Sequence, residues 1–502
     1  MSDLKVLSVA SEIFPLVKTG GLGDVVGALP RALQAEAIDM RVLVPGYPAV
    51  MAKLGAAETV LDFDDLFGGS VRVLAARFEG LSLFVVEAPH LYDRPGGPYQ
   101  SALGRDWPDN AERFAALGWV ARAFGSGAIS AWRPAIVHAH DWQAALAPTY
   151  LALTGQNRPA TVITIHNVAF QGQFPAAMLS RLRLPESAFA ADGVEYYGAI
   201  GFLKAGLFYA DAITTVSPTY AREIQTPESG MGLDGLLRHR ADRLIGIVNG
   251  IDEAIWDPAS DLHLAARYGR RRLGPRRHNR VALQQRFGLD HHPGPLFAVI
   301  SRLTWQKGMD LLLEALPGLI AGGGQLVLLG AGDATLEAAF ADAARGHAGR
   351  VGCDFGYDEP LAHLIQGGAD ALLMPSRFEP CGLTQLYGLR YGAVPIVARV
   401  GGLADTIIDA NDAALADRVA TGFQFAPVRV DALTDAIARA QTAFHNRAAW
   451  RAMQRRGMSR KLGWSARAPA YAALYRRLIA EGDRPKNRAE GDRPKNRAGD
   501  SI

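Results

Sequence analysis

Short apolar segments alternate with helical patterns along almost the whole of this 502-residue chain, and that alternation restricts its fold more than any other feature. Strands that alternate with helices pair in parallel and build an α/β fold around a doubly wound sheet. Residues 74–78 and 83–88 break the alternation and predict a hairpin insert. In the first half of the chain the predicted strands are 5–10, 40–45, 135–140, 160–165 and 211–216.

The same pattern starts again after residue 250 and predicts a second domain. The turn signals Asn249-Gly250 and Asp257-Pro258 would mark the join. Ligands of doubly wound sheets bind beyond the carboxyl ends of the strands, so two Rossmann-like domains facing each other place the site in a deep cleft between them. The predicted strands are 296–301, 325–330, 351–355, 371–375 and 394–398, with helices near 308–321, 333–346, 358–367, 383–391 and 429–445.

Composition excludes several classes of function. A net charge of +3 is too small to favour nucleic acid as a partner. Two cysteines, Cys353 and Cys381, form neither a disulfide framework nor a metal cage, which fits a reducing cytoplasm. No apolar run reaches the ~20 residues of a membrane helix, and no export signal is recognised, so we expect a cytoplasmic protein without a membrane partner. The arginines at 270–272 and 276–277 are expected to lie in a solvated loop, and a phosphate or glucan contact is the alternative.

Lysine is rare among the 53 basic residues, yet Lys18 and Lys307 stand in polar, glycine-containing motifs. Lys18 begins the segment 18–24, which follows the first strand and opens a helix. Its glycines let the backbone approach a ligand, and the helix start offers N–H groups to an anion. The segment lacks the third glycine of a dinucleotide fingerprint, so a nicotinamide enzyme is disfavoured. A plain strand–helix turn would explain the glycines but not Lys18.

His138 and His140, with Asp141 and Trp142, stand at the end of another predicted strand. The two histidines share one face of that strand, and metal binding is one interpretation, although further ligands are not evident nearby. Sugar binding is favoured, with Asp141 accepting hydroxyl hydrogen bonds, Trp142 offering an apolar ring and one histidine in the core. The dipeptide His166-Asn167 after the next strand fits hydroxyl recognition or an ordinary loop.

Two segments of the second domain combine cations, a carboxylate and a helix start. Arg302 and Lys307 follow its first strand, where two cations would stabilise negative charge on a departing phosphate. Glu379 lies on a later turn, where it would bind sugar hydroxyls or face positive charge at an anomeric carbon. The helix after it offers N–H groups to phosphate, as does a further helix at Gly401-Gly402. The alternatives are surface charges and a solvated loop carboxylate. Cys381 has no base partner and is expected to be a packing residue.

Taken together, these segments resemble the glycogen and starch synthases, the family 5 retaining glycosyltransferases of GT-B fold. The resemblance covers nearly all of residues 4–478. It rests on seven motifs in order, which are 10–15 with 18–24, 138–143, 164–167, 216–220, 248–252, 301–308 and 375–389.

The resemblance implies a role for each matching residue. The implied catalytic residues are Glu379, His166, Arg302, Lys307 and Asp141. The implied donor-binding residues are Lys18, Gly20, Gly21, Asn167, Asn249, Tyr357, Cys381, Gly382, Leu383 and Thr384, with Tyr357 stacking on adenine. The implied acceptor-side residues are Glu12, Tyr99 and Trp142. No metal and no other cofactor is implied.

The reaction that the resemblance implies is transfer of glucose from ADP-glucose to the non-reducing end of an α-1,4-glucan, with retention. Related retaining transferases often carry a second glutamate in an E-x7-E pattern, where this chain has Tyr387. A front-face mechanism is therefore favoured, in which the leaving phosphate takes the acceptor's proton. The alternatives are UDP-glucose or a small acceptor on the same fold, or a catalytically inactive glucan-binding protein. The oligomeric state is not indicated.

The expected domains are 1–248 on the acceptor side and 249–460 for the nucleotide sugar. Residues 461–479 would form a helix that packs back on the first domain. Residues 480–502 contain a direct repeat, 480–488 and 489–497, which is charged and nearly free of apolar residues. Such a segment is expected to be a disordered tail.

Overall fold

The computed structural model describes residues 3–155 and 157–482. In the first half the strands are β1 (Leu4–Val9), β2 (Ile38–Pro45), β3 (Ala57–Phe63), β4 (Val71–Phe78), β5 (Leu81–Glu87), β6 (Ile136–His140), β7 (Ala160–Ile165), β8 (Gln173–Pro175), β9 (Glu195–Tyr196), β10 (Ala199–Gly201), β11 (Ala212–Thr215) and β12 (Leu244–Gly246). The helices are α1 (Gly21–Gln34), α2 (Pro48–Met51), α3 (Pro89–Tyr92), α4 (Asn110–Gly125), α5 (Asp141–Ala144), α6 (Leu146–Leu153), α7 (Phe202–Tyr209), α8 (Pro218–Glu223) and α9 (Asp234–His239).

The second half continues the alternation of strands and helices. Its strands are β13 (Leu296–Ile300), β14 (Gln325–Leu329), β15 (Val351–Asp354), β16 (Ala371–Met374), β17 (Val394–Ala398) and β18 (Phe423–Phe425). Its helices are α10 (Arg276–Arg286), α11 (Met309–Ala321), α12 (Ala334–Gly346), α13 (Glu359–Gly368), α14 (Thr384–Tyr391), α15 (Gly401–Thr406), α16 (Asp412–Ala416), α17 (Val430–His445), α18 (Arg447–Met458) and α19 (Ala468–Gly482).

Each half contains one large sheet, which confirms the predicted α/β architecture. The first sheet has nine strands in the order β12-β11-β7-β6-β1-β2-β5-β4-β3, parallel from β12 to β5. The predicted hairpin is β4 and β5, which pair antiparallel and join the main sheet through β5. The second sheet has six parallel strands in the order β15-β14-β13-β16-β17-β18. Its strands are almost entirely apolar because helices cover both faces of a parallel sheet.

Helix α19 packs against the first half although it follows the second half in sequence. In α1, Val25, Leu29 and Leu33 recur every four residues and form a buried stripe. This stripe belongs to one core cluster with Tyr471 and Tyr475 of α19. The helix runs to residue 482, so the repeat's first three residues are helical, and the rest of the predicted tail lies outside the described residues.

Arg276 corrects the expectation that the arginine-rich segment is a solvated loop. It is the first residue of α10 and is buried. Its guanidinium donates to the carbonyl oxygens of Gln366 at 3.2 Å and Ala369 at 2.6 Å. Those carbonyls lie at the end of α13, where the last turn of a helix leaves acceptors unpaired. The buried arginine therefore satisfies this helix end.

No helix within residues 3–155 and 157–482 is long and apolar enough to cross a membrane.

Candidate active site

The segments that carry the predicted residues lie where the strand order of each sheet reverses. In the second sheet the reversal lies between β13 and β16, which lead into 301–308 and 375–384. In the first sheet it lies between β1 and β6, which lead into 10–20 and Asp141. Chains leave such neighbouring strands toward opposite faces and open a crevice for a ligand. The strand order therefore brings 301–308 and 375–384 together in the second half, and 10–20 and Asp141 together in the first half.

Lys307 and Glu379 form a nearly buried ion pair between the two segments of the second half. Lys307 Nζ donates to Glu379 Oε2 at 2.6 Å, and Ser376 Oγ donates to the same oxygen at 3.0 Å. Gly308 makes this approach possible, because it has a φ of +68° and a Cβ there would collide with the carbonyl oxygen of Pro375. Ser376 was not among the predicted residues, and its place beside Glu379 follows only from the turn.

A second ion pair holds the same two segments together. The guanidinium of Arg377 makes two hydrogen bonds to the carboxylate of Asp310, at 2.7 and 2.6 Å, and a third to the carbonyl oxygen of Trp305 at 2.7 Å. Such bidentate pairs fix geometry as well as adding energy. Arg302, in contrast, is exposed and forms no ion pair with the part of the chain that the structure describes.

Glu12 anchors the glycine-rich loop of the first half. Its Oε2 accepts from the backbone N–H of Thr19 at 2.6 Å and of Gly20 at 3.3 Å, and its Oε1 accepts from Thr19 Oγ1 at 2.6 Å. The phenol of Tyr99 donates to the same Oε1 at 2.5 Å. Glu12 is only 3% exposed. This carboxylate therefore supports the loop, and its contact with the acceptor stays a prediction.

Replacing Glu12 with alanine is expected to raise the KM for the donor about 10-fold, because four hydrogen bonds that order the loop are lost and donor binding must then order it. Steady-state kinetics with varied donor would measure this. The matched control is Tyr99→Phe, which removes one of these four hydrogen bonds together with the phenol's bond to Ser11 Oγ, and which should raise the KM much less. An unchanged KM in Glu12→Ala would contradict the assigned role.

Lys18 lies beside the start of its own helix. Its Nζ is 2.9 Å from Asp24 Oδ1, in the first turn of α1, and 5.3 Å from the ring centroid of Phe14. Burial raises the pKa of Asp24, and the ammonium of Lys18 opposes that shift. The predicted grouping of Lys18 with the diphosphate cations stays a prediction.

The two halves meet near these loops. A Cβ placed on Gly21 would lie 3.6 Å from Leu383 Cδ1. Thr219 donates through its backbone N–H and its hydroxyl to Asp405, at 2.8 and 2.6 Å. Sequence reasoning missed this contact, since nothing in either segment marks its partner.

The helix start at Gly401 is used by the protein itself. The backbone N–H of Gly401 donates to Glu223 Oε1 at 2.9 Å across the two halves. The anion at this helix start is thus a carboxylate of the first half, which suits the positive end of a helix. Contact of this helix start with phosphate stays a prediction.

Asp141 supports the loop at the end of β7. Its Oδ1 accepts from the backbone N–H of His166 at 2.7 Å and of Asn167 at 3.4 Å. Burial raises the pKa of Asp141 to about 7, although those two N–H donors oppose the shift. The structure thus brings three of the predicted sugar-binding residues together, with Asp141 acting on the backbone of the other two. Asn167 Oδ1 itself accepts from the backbone N–H of Ala169 at 3.0 Å.

Both histidines of β6 are fully buried and hydrogen-bonded, where only one was expected in the core. His138 bonds to the hydroxyl of Tyr475 at 2.7 Å and to Thr164 Oγ1 at 2.6 Å. His140 bonds to Ser8 Oγ at 3.2 Å and, through Nδ1, to His166 Nε2 at 3.0 Å. In residues 3–155 and 157–482, no three His, Cys, Asp or Glu side chains are grouped to hold a metal ion.

Replacing His138 with glutamine is expected to make stability less sensitive to acid. Burial lowers the pKa of His138 to about 3, from 6.5. Because the folded value lies below the unfolded one, the stabilising contribution is complete above pH 6.5 and is lost as the pH falls toward 3. The wild type should lose ~1.4 kcal/mol more per pH unit than the variant in that window. Denaturant unfolding at pH 7 and 5.5 measures the difference, and equal losses would contradict the assignment.

The remaining predicted donor residues lie around the start of α14. Cys381 is buried, and burial raises the pKa of its thiol to about 12, which agrees with a packing role. Gly382 and Leu383 lead into α14, which begins at Thr384. Asn249 is buried with an Oδ1 that has no hydrogen-bond partner among the described residues.

Three predicted aromatic residues differ in exposure. Tyr357 is 78% exposed, and its hydroxyl bonds to the carboxylate of Glu359. Trp142 is half-buried and packs edge-on against Phe114, with ring centroids 4.9 Å apart. Tyr99 is half-buried beside the same phenylalanine. The rings of Tyr99 and Trp142 therefore pack at the edge of the hydrophobic core.

Two family models match the chain. The model described as starch synthase catalytic domain matches residues 5–239, and the model described as glycosyl transferases group 1 matches residues 283–455. A glycogen synthase of Rhodopseudomonas palustris is 60% identical over 482 residues, which cover 96% of this chain and 100% of the relative. The chain belongs to the glycogen synthase family. Glycogen synthase 1 of Rhizobium meliloti is 56% identical over 480 residues, 95% of this chain and 100% of that relative.

Solved structures agree with the glycogen synthase family. The catalytic domain of starch synthase IV from Arabidopsis thaliana, bound to ADP and acarbose, matches with a TM-score of 0.86 and 30% identity, over 95% of this chain and 100% of that one. Sucrose-phosphate synthase from Thermosynechococcus elongatus matches with a TM-score of 0.60 and 17% identity, over 95% and 100%, and shows the fold alone. The fold is GT-B, and the chain is a glucosyltransferase that extends a glucan from a nucleotide-sugar donor.

Proposed function

We propose that this chain transfers glucose from ADP-glucose to the non-reducing end of an α-1,4-glucan, with retention at the anomeric carbon and release of ADP. The observation that carries the proposal is the 2.6 Å pair of Lys307 and Glu379 at the point where the strand order reverses. ADP, bound in the related starch synthase IV structure, supports the choice of nucleotide. Cys353 and Cys381 are both free thiols, which supports work in a reducing cytoplasm.

We assign the diphosphate to cations from both halves. Lys307 and Arg302 would approach it from the second half and Lys18 from the first, and the N–H groups at Thr384 would add to them. As the bond between the anomeric carbon and the phosphate oxygen breaks, negative charge grows on that oxygen. Cations fixed beside it stabilise the transition state more than the bound substrate. Because side chains supply this charge, we propose that no metal ion is needed.

Lys18 and Lys307 each have a carboxylate partner, and a bound diphosphate would compete with these carboxylates for the ammonium groups. Lys18 is paired with Asp24 and Lys307 with Glu379, at 2.9 and 2.6 Å. We propose that donor binding draws both ammonium groups onto phosphate oxygens. This exchange frees the Glu379 carboxylate to face the positive charge that develops on the sugar. The ion pair of Lys307 and Glu379 thus holds both side chains in place before the donor arrives.

Other residues are assigned to the sugar, the base and the acceptor. Asp141, His166 and Asn167 would bind glucose hydroxyls at the end of β7. The largely exposed ring of Tyr357 is available to stack on adenine. The Oδ1 of buried Asn249, which has no partner within residues 3–155 and 157–482, is available to accept a hydrogen bond. The acceptor would lie against residues 1–248, near Tyr99 and Trp142, and the nucleotide against 249–460. Gly20, Gly21 and Gly382 would allow the backbone to approach the donor substrate closely.

Related retaining transferases often carry two glutamates eight positions apart, and this chain has the first, Glu379, but not the second. Position 387 is a tyrosine whose ring stacks on Trp256, with centroids 3.7 Å apart. It is no nucleophile for a covalent intermediate at ordinary pH, because burial raises its pKa well above 10. This supports a front-face reaction in which the leaving phosphate takes the proton of the acceptor hydroxyl.

Side-by-side donors test the proposal. Purified protein with glycogen should release ADP from ADP-glucose faster than UDP from UDP-glucose, and more than a control without glycogen. The rate should be unchanged with EDTA, because no metal ion takes part. If UDP-glucose is the faster donor, or if only a small acceptor is used, the alternative within the same fold is correct. No release above the control would mean a glucan-binding protein without activity.

A further inference from the structure

A chain of hydrogen bonds links the first strand of the protein to the proposed sugar site. Ser8 Oγ lies 3.2 Å from His140 Nε2, and His140 Nδ1 lies 3.0 Å from His166 Nε2. Ser8 and His140 are almost completely buried. The Nδ1 atom of His166 has no hydrogen-bond partner in the part of the chain that the structure describes. One nitrogen of His166 is therefore held by the protein, and the other is left for a ligand.

The direction of this chain follows from counting donors. A neutral imidazole has one N–H and one acceptor nitrogen. If His140 donated from Nε2 to Ser8, the hydroxyl proton of Ser8 would need an acceptor, and no other hydrogen bond of Ser8 Oγ exists among the described residues. A buried donor without a partner is costly. If Ser8 donates to His140 Nε2, then His140 Nδ1–H donates to His166 Nε2, and the proton left without a partner among the described residues is that on Nδ1 of His166, which is half-buried, and not that of the buried Ser8 hydroxyl.

We propose that Ser8 and His140 are positioning residues that hold His166 in the tautomer with its proton on Nδ1, so that this nitrogen donates a hydrogen bond to an oxygen atom of the bound donor substrate. The inference rests on the proposed function for its ligand, but the tautomer itself is a property of the free protein. Without the two residues, the ring of His166 would present a lone pair to the ligand in part of the molecules.

The two histidine rings in this series of hydrogen bonds are uncharged. Burial lowers the pKa of His166 to about 3 and that of His140 well below 6.5, and neighbouring His138 lowers the latter further. The carboxylate of Asp141 bonds to the backbone N–H of His166 and not to its ring. The proton on Nδ1 is therefore fixed by hydrogen bonding and not by an ion pair, which distinguishes this arrangement from a histidine–carboxylate pair.

Nitrogen-15 NMR of histidine-labelled protein tests the tautomer directly. The ring signals of His166 are identified by their loss in His166→Gln. The expected result is a protonated Nδ1 and an unprotonated Nε2 in the protein without substrate. A protonated Nε2 on His166 overturns the proposal, and so does a doubly protonated ring at pH 7.

The activity of variants tests whether the tautomer of His166 affects glucosyl transfer. His140→Phe removes the donor and should lower kcat/KM for ADP-glucose about 10-fold, the loss of about one hydrogen bond, with a mixture of His166 tautomers. In His140→Asn the amide nitrogen lies near the position of Nδ1, so most activity and the Nδ1–H tautomer should return. Ser8→Ala should give a smaller loss of the same kind. Equal activity in His140→Phe and His140→Asn contradicts the proposal.

His138→Phe is the matched control. His138 is also buried in β6 but bonds to Tyr475 and Thr164, so its loss should lower the melting temperature without changing the His166 tautomer. A changed tautomer in this control would mean that general disruption, not the chain through His140, sets the proton position. If ADP-glucose is not used at all, the proposed function fails while NMR still decides the tautomer. If transfer occurs with Nε2 protonated, only the present inference fails.

Discussion

Glu379→Gln is expected to lower kcat by about 10²–10³ while the protein folds normally. The side chain is nearly buried, and its Oε2 is held by Lys307 and Ser376 at 2.6 and 3.0 Å. Glutamine keeps the volume but removes the negative charge that would face the sugar in the transition state. Single-turnover and steady-state rates with ADP-glucose and glycogen measure the loss.

The control for Glu379→Gln is Asp310→Asn. Asp310 forms the neighbouring ion pair with Arg377 at 2.6 Å, so this variant also removes a carboxylate charge from the same two segments. Its kcat should fall far less than that of Glu379→Gln. If Glu379→Gln retains kcat within threefold of the wild type, or if the two variants lose equal activity, the assigned role of Glu379 is wrong.

Lys307→Met is expected to lower kcat by about 10²–10³ and to weaken ADP binding, because a cation beside the leaving phosphate is lost. Lys307→Arg should recover little, since the planar guanidinium does not fit where a compact ammonium lies against Glu379 with 16% of the side chain exposed. Kinetics and ADP titration by calorimetry measure both effects. Arg302→Met removes an exposed cation. It should weaken ADP binding and should affect folding less than Lys307→Met does.

A double-variant cycle sharpens this second prediction. Lys307 and Glu379 contact each other, so the losses from Lys307→Met and Glu379→Gln should not add, and the double variant should resemble the worse single variant. Lys307→Met with kcat within threefold of the wild type would contradict a role at the phosphate. Fully additive losses would show that the two residues act independently.

Local pattern was sufficient to predict most strands of the two sheets, but it missed the edge strands β3, β12 and β18. Parallel strands covered on both faces must be short and apolar, so β13 to β17 were located to within one residue from apolar runs alone. The order of the strands then decides which loops meet, and it groups the segments after β1, β6, β13 and β16 as expected for doubly wound sheets. The site's position in the fold was therefore predictable, because it follows from topology and not from side-chain detail.

Partner choice was not predictable in the same way. Nothing in the sequence indicates that Glu12 binds the loop at Thr19 and the phenol of Tyr99, which is 87 residues away. Arg276 looked solvated, yet its guanidinium satisfies a helix end from another part of the chain. A charged residue's role depends on which distant segment packs over it, and one sequence carries no signal for that pairing. The link from His140 to His166 was missed for the same reason.

A crystal structure with bound ADP would show whether cations from both halves hold the leaving diphosphate. We expect Lys307 and Arg302 on the phosphates, Lys18 approaching from the glycine-rich loop, and the ammonium of Lys307 moved from Glu379 onto a phosphate oxygen. A structure in which ADP binds while these three side chains point to separate surfaces would contradict this expectation.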